Sequence, residues 1–321
     1  MRIPSPAPLR GRLKVGQRPL KPSMMVRFHP SQPIEKDMDS RQIWQSQNFL
    51  RRPEFVASLV ERTNIARSDL VIEIGPGRGI ITQQLASRAG RVMAVEIDKR
   101  LATNLRTSFQ SSPNVEIVEA DFLRWQLPRE SYKVFSNIPF NMTADIIRKL
   151  TEDKNPPELT YLIMQDKAAF RFMGKPKDSQ TSILLKPWFD VRILANIDRR
   201  EFTPVPKINA VLTEFRKREQ PLVELQFRQW FRDFVVYGYN QWQPTILDAF
   251  REVFSPKQRS ILAREIMIEG AKPSDLTSEQ WLKLFETFTV YVPDDKKKII
   301  KGAEERLEKQ QRGLRKWHRT R

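Results

Sequence analysis

The chain has 321 residues, with 56 Lys and Arg against 38 Asp and Glu and a formal net charge of +18. Cysteine is absent, which excludes disulfides and thiolate catalysis, and the two histidines, His29 and His318, lie near the ends, so a zinc site is excluded too. No apolar run approaches the roughly 18 residues of a membrane span, which predicts a soluble, cytoplasmic protein. The excess of cations predicts a polyanionic partner, of which nucleic acid is the commonest.

Residues 1–40 are rich in proline and cations and carry no hydrophobic period, which predicts a disordered arm. From Asp69 short β-branched runs alternate with helical ones. LVIEIG (70–75), RVMAVEID (91–98), NVEIVEAD (114–121), YKVFSN (132–137) and LTYLIMQ (159–165) read as strands, with helices through IITQQLASRA and KRLATNLRTSF. Nearly continuous apolar strands between helices predict an α/β fold, a parallel Rossmann-like sheet covered on both faces. ILLKPWFDVRILANI and NAVLTEFRKR read as two longer strands that close the sheet antiparallel, ending a domain of residues 41–219.

A smaller helical, RNA-binding domain is expected over 220–292. Thr277, with Gln280 three residues on, marks a helix start, and Trp281, Leu284, Phe285 and Phe288 share one face and read as core. Residues 293–321 end in RLEKQQRGLRKWHRTR, read as a frayed basic tail able to neutralise phosphates. No internal repeat is present.

The chemistry begins at Glu73-Ile-Gly75-Pro-Gly77-Arg-Gly79, where a strand gives way to a helix. Glycine there lets the backbone turn sharply and approach a ligand. Glu96, at the tip of the next strand, is placed to accept both ribose hydroxyls of an adenosine-containing cofactor. The third glycine comes one position too early for the dinucleotide pattern. Glu73 also sets an acid beside the turn, which disfavours a pyrophosphate and suits a cationic cofactor such as S-adenosylmethionine. Asp121, in EADFL, reads either as a partner of the adenine amino group or as a helix cap.

The next strand delivers Asn137-Ile138-Pro139-Phe140 to the same sheet edge. The exocyclic amine of adenine is a poor nucleophile because its lone pair is delocalised into the ring. The Asn137 side-chain oxygen and a backbone carbonyl near Ile138 would accept its two hydrogens and free that lone pair. Phe140 would stack on the extruded base. Such catalysis is orientation and electrostatics, without a strong base or a metal. Taken alone, the tetrapeptide also reads as a turn closing a strand.

In order, SQNFL (46–50), EIGPGRG (73–79), VEID (95–98), EADFL (119–123) and NIPFNMTADIIRKL (137–150) resemble the rRNA adenine N6-methyltransferases, over roughly residues 41–290. The closer resemblance is to the Erm group, which modifies one adenine of 23S rRNA and confers macrolide, lincosamide and streptogramin B resistance. It implies a class I methyltransferase domain, a monomer acting on 23S rRNA, and S-adenosylmethionine as cofactor. The implied cofactor contacts are Asn48, Leu50, Gly75, Gly77, Glu96, Ile97, Asp121, Phe122 and Asn137. Asn137, Ile138 and Phe140 fall in the catalytic segment, with Phe140 where Tyr is usual. Phe202, in REFTPVPKINAV, matches the second aromatic that sandwiches the base, although by sequence alone it reads as a loop-anchoring hydrophobe. Two rivals remain: a small-subunit rRNA dimethyltransferase, and an RNA-binding assembly protein that kept the fold without catalysis.

Overall fold

The computed structural model describes residues 48–318, with side chains through residue 311; the arm over 1–40 lies outside the described residues. The strands are β1 (Phe49–Leu50), β2 (Leu70–Ile74), β3 (Arg91–Glu96), β4 (Val115–Glu119), β5 (Lys133–Asn137), β6 (Leu159–Gln165), β7 (Phe189–Ile197), β8 (Phe202–Thr203) and β9 (Ala210–Lys217). Among the described residues, seven of them form one sheet in the order β4-β3-β2-β5-β6-β9-β7. The pairs from β4 to β6 are parallel, whereas β9 lies antiparallel between β6 and β7.

Side-chain alternation divides each central strand between two cores. Val71, Phe135 and Ile163 face one; Ile72, Val134 and Leu162 face the other. Strands buried on both sides have no need of polar positions, which explains the uninterrupted apolar runs. Helices α1 (Pro53–Glu61) and α2 (Ile80–Arg88) cover the first face. Helix α3 (Lys99–Ser108) packs on β3 and β4, capped by Asp98, whose carboxylate accepts from Arg100 N at 2.8 Å and Leu101 N at 3.1 Å. The second face takes α4 (Thr143–Glu152), α5 (Asp166–Met173) and α6 (Gln180–Leu185).

Helix α6 corrects one expectation. Ile183-Leu184-Leu185 reads as the start of a strand, yet it is helical, and β7 begins only at Phe189. Ser179 supplies the reason: its hydroxyl caps Ser182 N while Ser182 caps back. Apolarity in so short a run cannot by itself separate helix from strand.

The boundary expected near Glu219 falls between β9 and α7 (Arg228–Tyr239). Then follow α8 (Ile246–Ala249), α9 (Pro256–Glu265), α10 (Ser278–Tyr291), α11 (Asp294–Ile300) and α12 (Ala303–His318). Thr277 caps α10 as the sequence predicts, with the Gln280 side chain accepting from Thr277 N at 2.8 Å. Trp281, Leu284, Phe285 and Phe288 are buried around Phe234 of α7. Residues 303–318, expected as a frayed tail, are helical instead. Buried Asp233 accepts from Gly302 N at 2.8 Å and Glu304 N at 3.0 Å, fixing the start of α12.

Candidate active site

In spatial order β2 is flanked by β3 and β5, so the chain reverses its direction of travel across the sheet between β2 and β5. Loops leaving such a switch point diverge and open a crevice at the carboxyl ends of the strands. Gly75 and Asn137 come from these two neighbouring strand ends. Both line an open cleft of about 390 Å³, together with Asn48, Phe49, Ile138, Pro139 and Phe140. A second cleft of about 320 Å³ shares Phe49, Gly75 and Asn137 and adds Leu50, Pro76 and Arg78.

The glycines make the expected sharp turn. Gly75, Gly77 and Gly79 have φ of 63°, 59° and 82°, where a side chain is strained. A Cβ at Gly75 would meet nothing within 4 Å, so its backbone faces open space. A Cβ at Gly77 would lie 2.8 Å from Cε1 of Phe49. That ring rests on the turn under the Arg78 guanidinium, 5.4 Å from its centroid.

The two acids behave differently from the simple expectation. Glu96 is 1% exposed; its Oε2 accepts from Gly77 N at 3.1 Å and its Oε1 from Asp98 N at 2.9 Å. Burial raises its pKa, and the backbone donors oppose that shift. Backbone donors at Gly77, Ile97 and Asp98 leave part of the carboxylate's acceptor capacity unused. Glu73 is also 1% exposed, and burial lifts its carboxyl to about 8, although Thr82 donates to it at 2.6 Å. It is therefore mostly neutral at pH 7, which corrects the reading of Glu73 as a fixed charge beside the turn.

At the rim, Ile97 is 49% exposed, an apolar surface next to Glu96. Asp121 closes a turn, its Oδ1 accepting from Leu123 N at 2.9 Å; no helix starts there, so it is not the helix cap of the alternative reading. Phe122 does not line either cleft; it is buried in the second-face core beneath the Lys149 ammonium.

Asn137 is the centre of the arrangement. Its Nδ2 donates to the Asn48 carbonyl at 2.7 Å. That bond fixes which end of the amide is the donor and leaves Oδ1 as a hydrogen-bond acceptor. Ile138 is buried, and its N–H donates to Ile163 O at 3.3 Å, holding the strand end on β6. Phe140 is half-buried, and its carbonyl accepts from Thr143 Oγ1 at 3.0 Å.

Phe202 is not on the cleft wall. It is fully buried in the first-face core and pairs with Leu50 across β1 and β8. Leu50 is buried with it, whereas Asn48 stays half-exposed. The loop-anchoring reading of Phe202 describes this conformation, and stacking on a base would require its ring to leave the core. Sequence reasoning passed over Phe49, although it stands between two residues singled out as contacts. Its place between Asn48 and Leu50 in SQNFL was the available signal.

Residues 38–289 match the family model described as ribosomal RNA adenine dimethylase. An rRNA adenine N-6-methyltransferase of Bacillus licheniformis is 30% identical over 251 residues, 77% of this chain and 86% of that protein. A ribosomal RNA small subunit methyltransferase A of Alkaliphilus oremlandii is 30% identical over 250 residues, 73% of this chain and 87% of that protein. Among solved structures, the 23S rRNA methyltransferase ErmE matches at TM-score 0.68 and 30% identity, covering 75% of this chain and 100% of that one.

Proposed function

The chain belongs to the ribosomal RNA adenine dimethylase family and is an rRNA adenine N6-methyltransferase, and from that premise we propose that it methylates N6 of one adenine in 23S rRNA with S-adenosylmethionine. The observation that carries the reading is the Asn137 amide, oriented by the Asn48 carbonyl at the sheet switch point.

The donor set suits the cofactor. The open backbone at Gly75 admits a ligand, Glu96 offers lone pairs to ribose hydroxyls, and Ile97 presents an apolar face to adenine. When bound, S-adenosylmethionine supplies an electrophilic methyl group. The remaining work is done by the chain. Asn137 Oδ1 and a carbonyl of the Ile138–Pro139 segment accept the two amine hydrogens and turn the nitrogen lone pair toward the cofactor. Pro139 fixes the φ of that segment near −60°. Phe140 supports the base by stacking. Asn48 holds the amide in register.

Similarity to a 23S rRNA enzyme over 75% of the chain supports the 23S target. The Alkaliphilus relative supports the small-subunit reading. Methylation of the 23S adenine would bring resistance to macrolide, lincosamide and streptogramin B antibiotics. We place the enzyme in the cytoplasm as a monomer; no helix among the described residues is long and apolar enough to cross a membrane. The test is primer extension on both rRNAs from a susceptible host expressing the chain, with mass spectrometry of the modified adenine. A new stop in 23S rRNA is expected. A stop confined to 16S rRNA transfers the reading to the small subunit, and finding neither a stop nor a methylated adenine by mass in either rRNA overturns it.

A further inference from the structure

Trp242 is 91% exposed, in a chain that packs many of its aromatic residues densely around Phe234. An indole left in water forgoes the stabilisation that burial would give it. The loop carrying it is pinned at both ends. Asn240 Nδ2 donates to Val236 O at 2.7 Å, and Gln241 Nε2 donates to Tyr237 O at 3.3 Å. On the far side Thr245 caps α8, and Ile246 N donates to Ala271 O at 2.8 Å. The ring is thus presented by a built turn.

Charged groups of both signs lie near the loop. The Ile246–Ala271 bond brings Lys272 beside the loop. Tyr239, three residues before Trp242, stacks on Trp281 at 5.3 Å and lies in the field of Asp178 and Asp275. Both carboxylates are engaged. Asp178 pairs with Lys186 at 2.7 Å and accepts from Ser278 N at 2.9 Å, while Asp275 pairs with Lys177 at 3.5 Å. Lys175 and Lys272 are exposed and make no ion pair with a carboxylate among the described residues. Helix α5 leads from the carboxyl edge of β6 to Lys175, a rise of about 12 Å.

We propose that Trp242 is a stacking platform for an unpaired base of the RNA substrate, distinct from the target adenine, with Lys175 and Lys272 on adjoining phosphates. This rests on the rRNA reading above. An exposed ring on a basic chain suits single-stranded RNA: the face is sequence-tolerant and cations follow the backbone. The net charge of +18 favours that occupant over a second copy of this basic chain.

The test is steady-state methylation of an rRNA fragment by wild type, Trp242→Ala and Trp242→Phe, with cofactor affinity measured by calorimetry. For alanine the KM for RNA should rise about fivefold to a hundredfold. The kcat at saturating RNA and the cofactor Kd should be unchanged, and phenylalanine should recover most of the loss. An unchanged KM for Trp242→Ala overturns the platform while wild-type turnover on the same RNA leaves the methyltransferase reading intact. A monomer–dimer shift with an unchanged KM identifies a self-association face and overturns it as well. If wild type modifies no RNA, the functional reading fails and the platform falls with it.

Discussion

The Asn137 side chain donates its amide proton to the backbone carbonyl of Asn48 at 2.7 Å, joining segments 89 residues apart in the chain. The segment before β1 and the end of β5 are thus one hydrogen-bonded unit. Asn137→Ala removes both the acceptor and the tie. Turnover should fall on the order of a hundredfold or more, as for loss of a positioned polar group at a reacting centre. Asn137→Asp should be no better, because a carboxylate cannot donate to the Asn48 carbonyl. A labelled-cofactor assay checks both variants. Wild-type rates in either would refute the orientation argument.

Glu96→Ala should weaken cofactor binding by roughly ten- to a hundredfold, since hydrogen bonds to a charged acceptor are the stronger kind. The carboxylate also braces Gly77 N, so the turn loses a support at the same time. Calorimetry without RNA is the measurement. An unaltered Kd would mean that the ribose is held elsewhere.

Phe140 separates stacking from packing. It is half-buried against the first-face core, and its backbone is tied to Thr143. Base stacking on an aromatic ring contributes about 1–3 kcal/mol. Phe140→Ala should therefore lose most RNA turnover with little change in cofactor affinity, whereas Phe140→Tyr should retain activity. Equal turnover in all three proteins would remove the ring from the reaction.

Glu73 makes stability depend on pH. The folded chain holds its proton up to about pH 8, whereas the unfolded chain releases it near 4.5. The stabilisation is complete below the unfolded pKa and is lost as the pH rises through the folded one. Glu73→Gln keeps a neutral side chain at every pH, so it should match wild type in urea midpoint at pH 5 and exceed it at pH 9. Parallel midpoints across that range would show that the burial penalty on the carboxylate is absent.

The sheet was legible in the sequence because its central strands bury both faces, so each is an uninterrupted apolar run. Thr277 and Gln280 announced α10 for an equally local reason. What escaped was decided at long range. Ile183-Leu184-Leu185 was apolar enough for either state, and the reciprocal Ser179–Ser182 cap settled it. Phe202 carries no local sign that Leu50, 152 residues earlier, pairs with it. The neutral state of Glu73 depends on burial, which its sequence neighbours do not reveal. The glycine turn, Glu96 and Asn137 were readable because strand ends of a parallel sheet converge on one edge.

The start of α12 was the least legible element, and it yields the last expectation. Glu304 sits in a basic segment, but its partner Arg232 lies 72 residues earlier on α7. Arg232 also pairs with Glu152 at 2.8 Å, so one guanidinium joins α4, α7 and α12. Burial alone would push Glu304 up; Arg232 more than reverses it and holds the carboxyl below its usual range. Glu304→Ala should cost about 2 kcal/mol, the scale of a hydrogen bond between charged groups, and lower the Tm. Lys309→Ala removes an exposed pair with Glu305 and should leave the Tm unchanged. Ending the chain after Gly302 should lower the Tm as Glu304→Ala does. It should also flatten the dependence of log rRNA affinity on log salt, because the lost cations no longer release counterions from RNA. Thermal melts and salt titrations of these proteins decide the matter. A shortened chain that melts with full-length protein would reduce α12 to an undocked tail, and superimposable salt plots would deny it any contact with RNA.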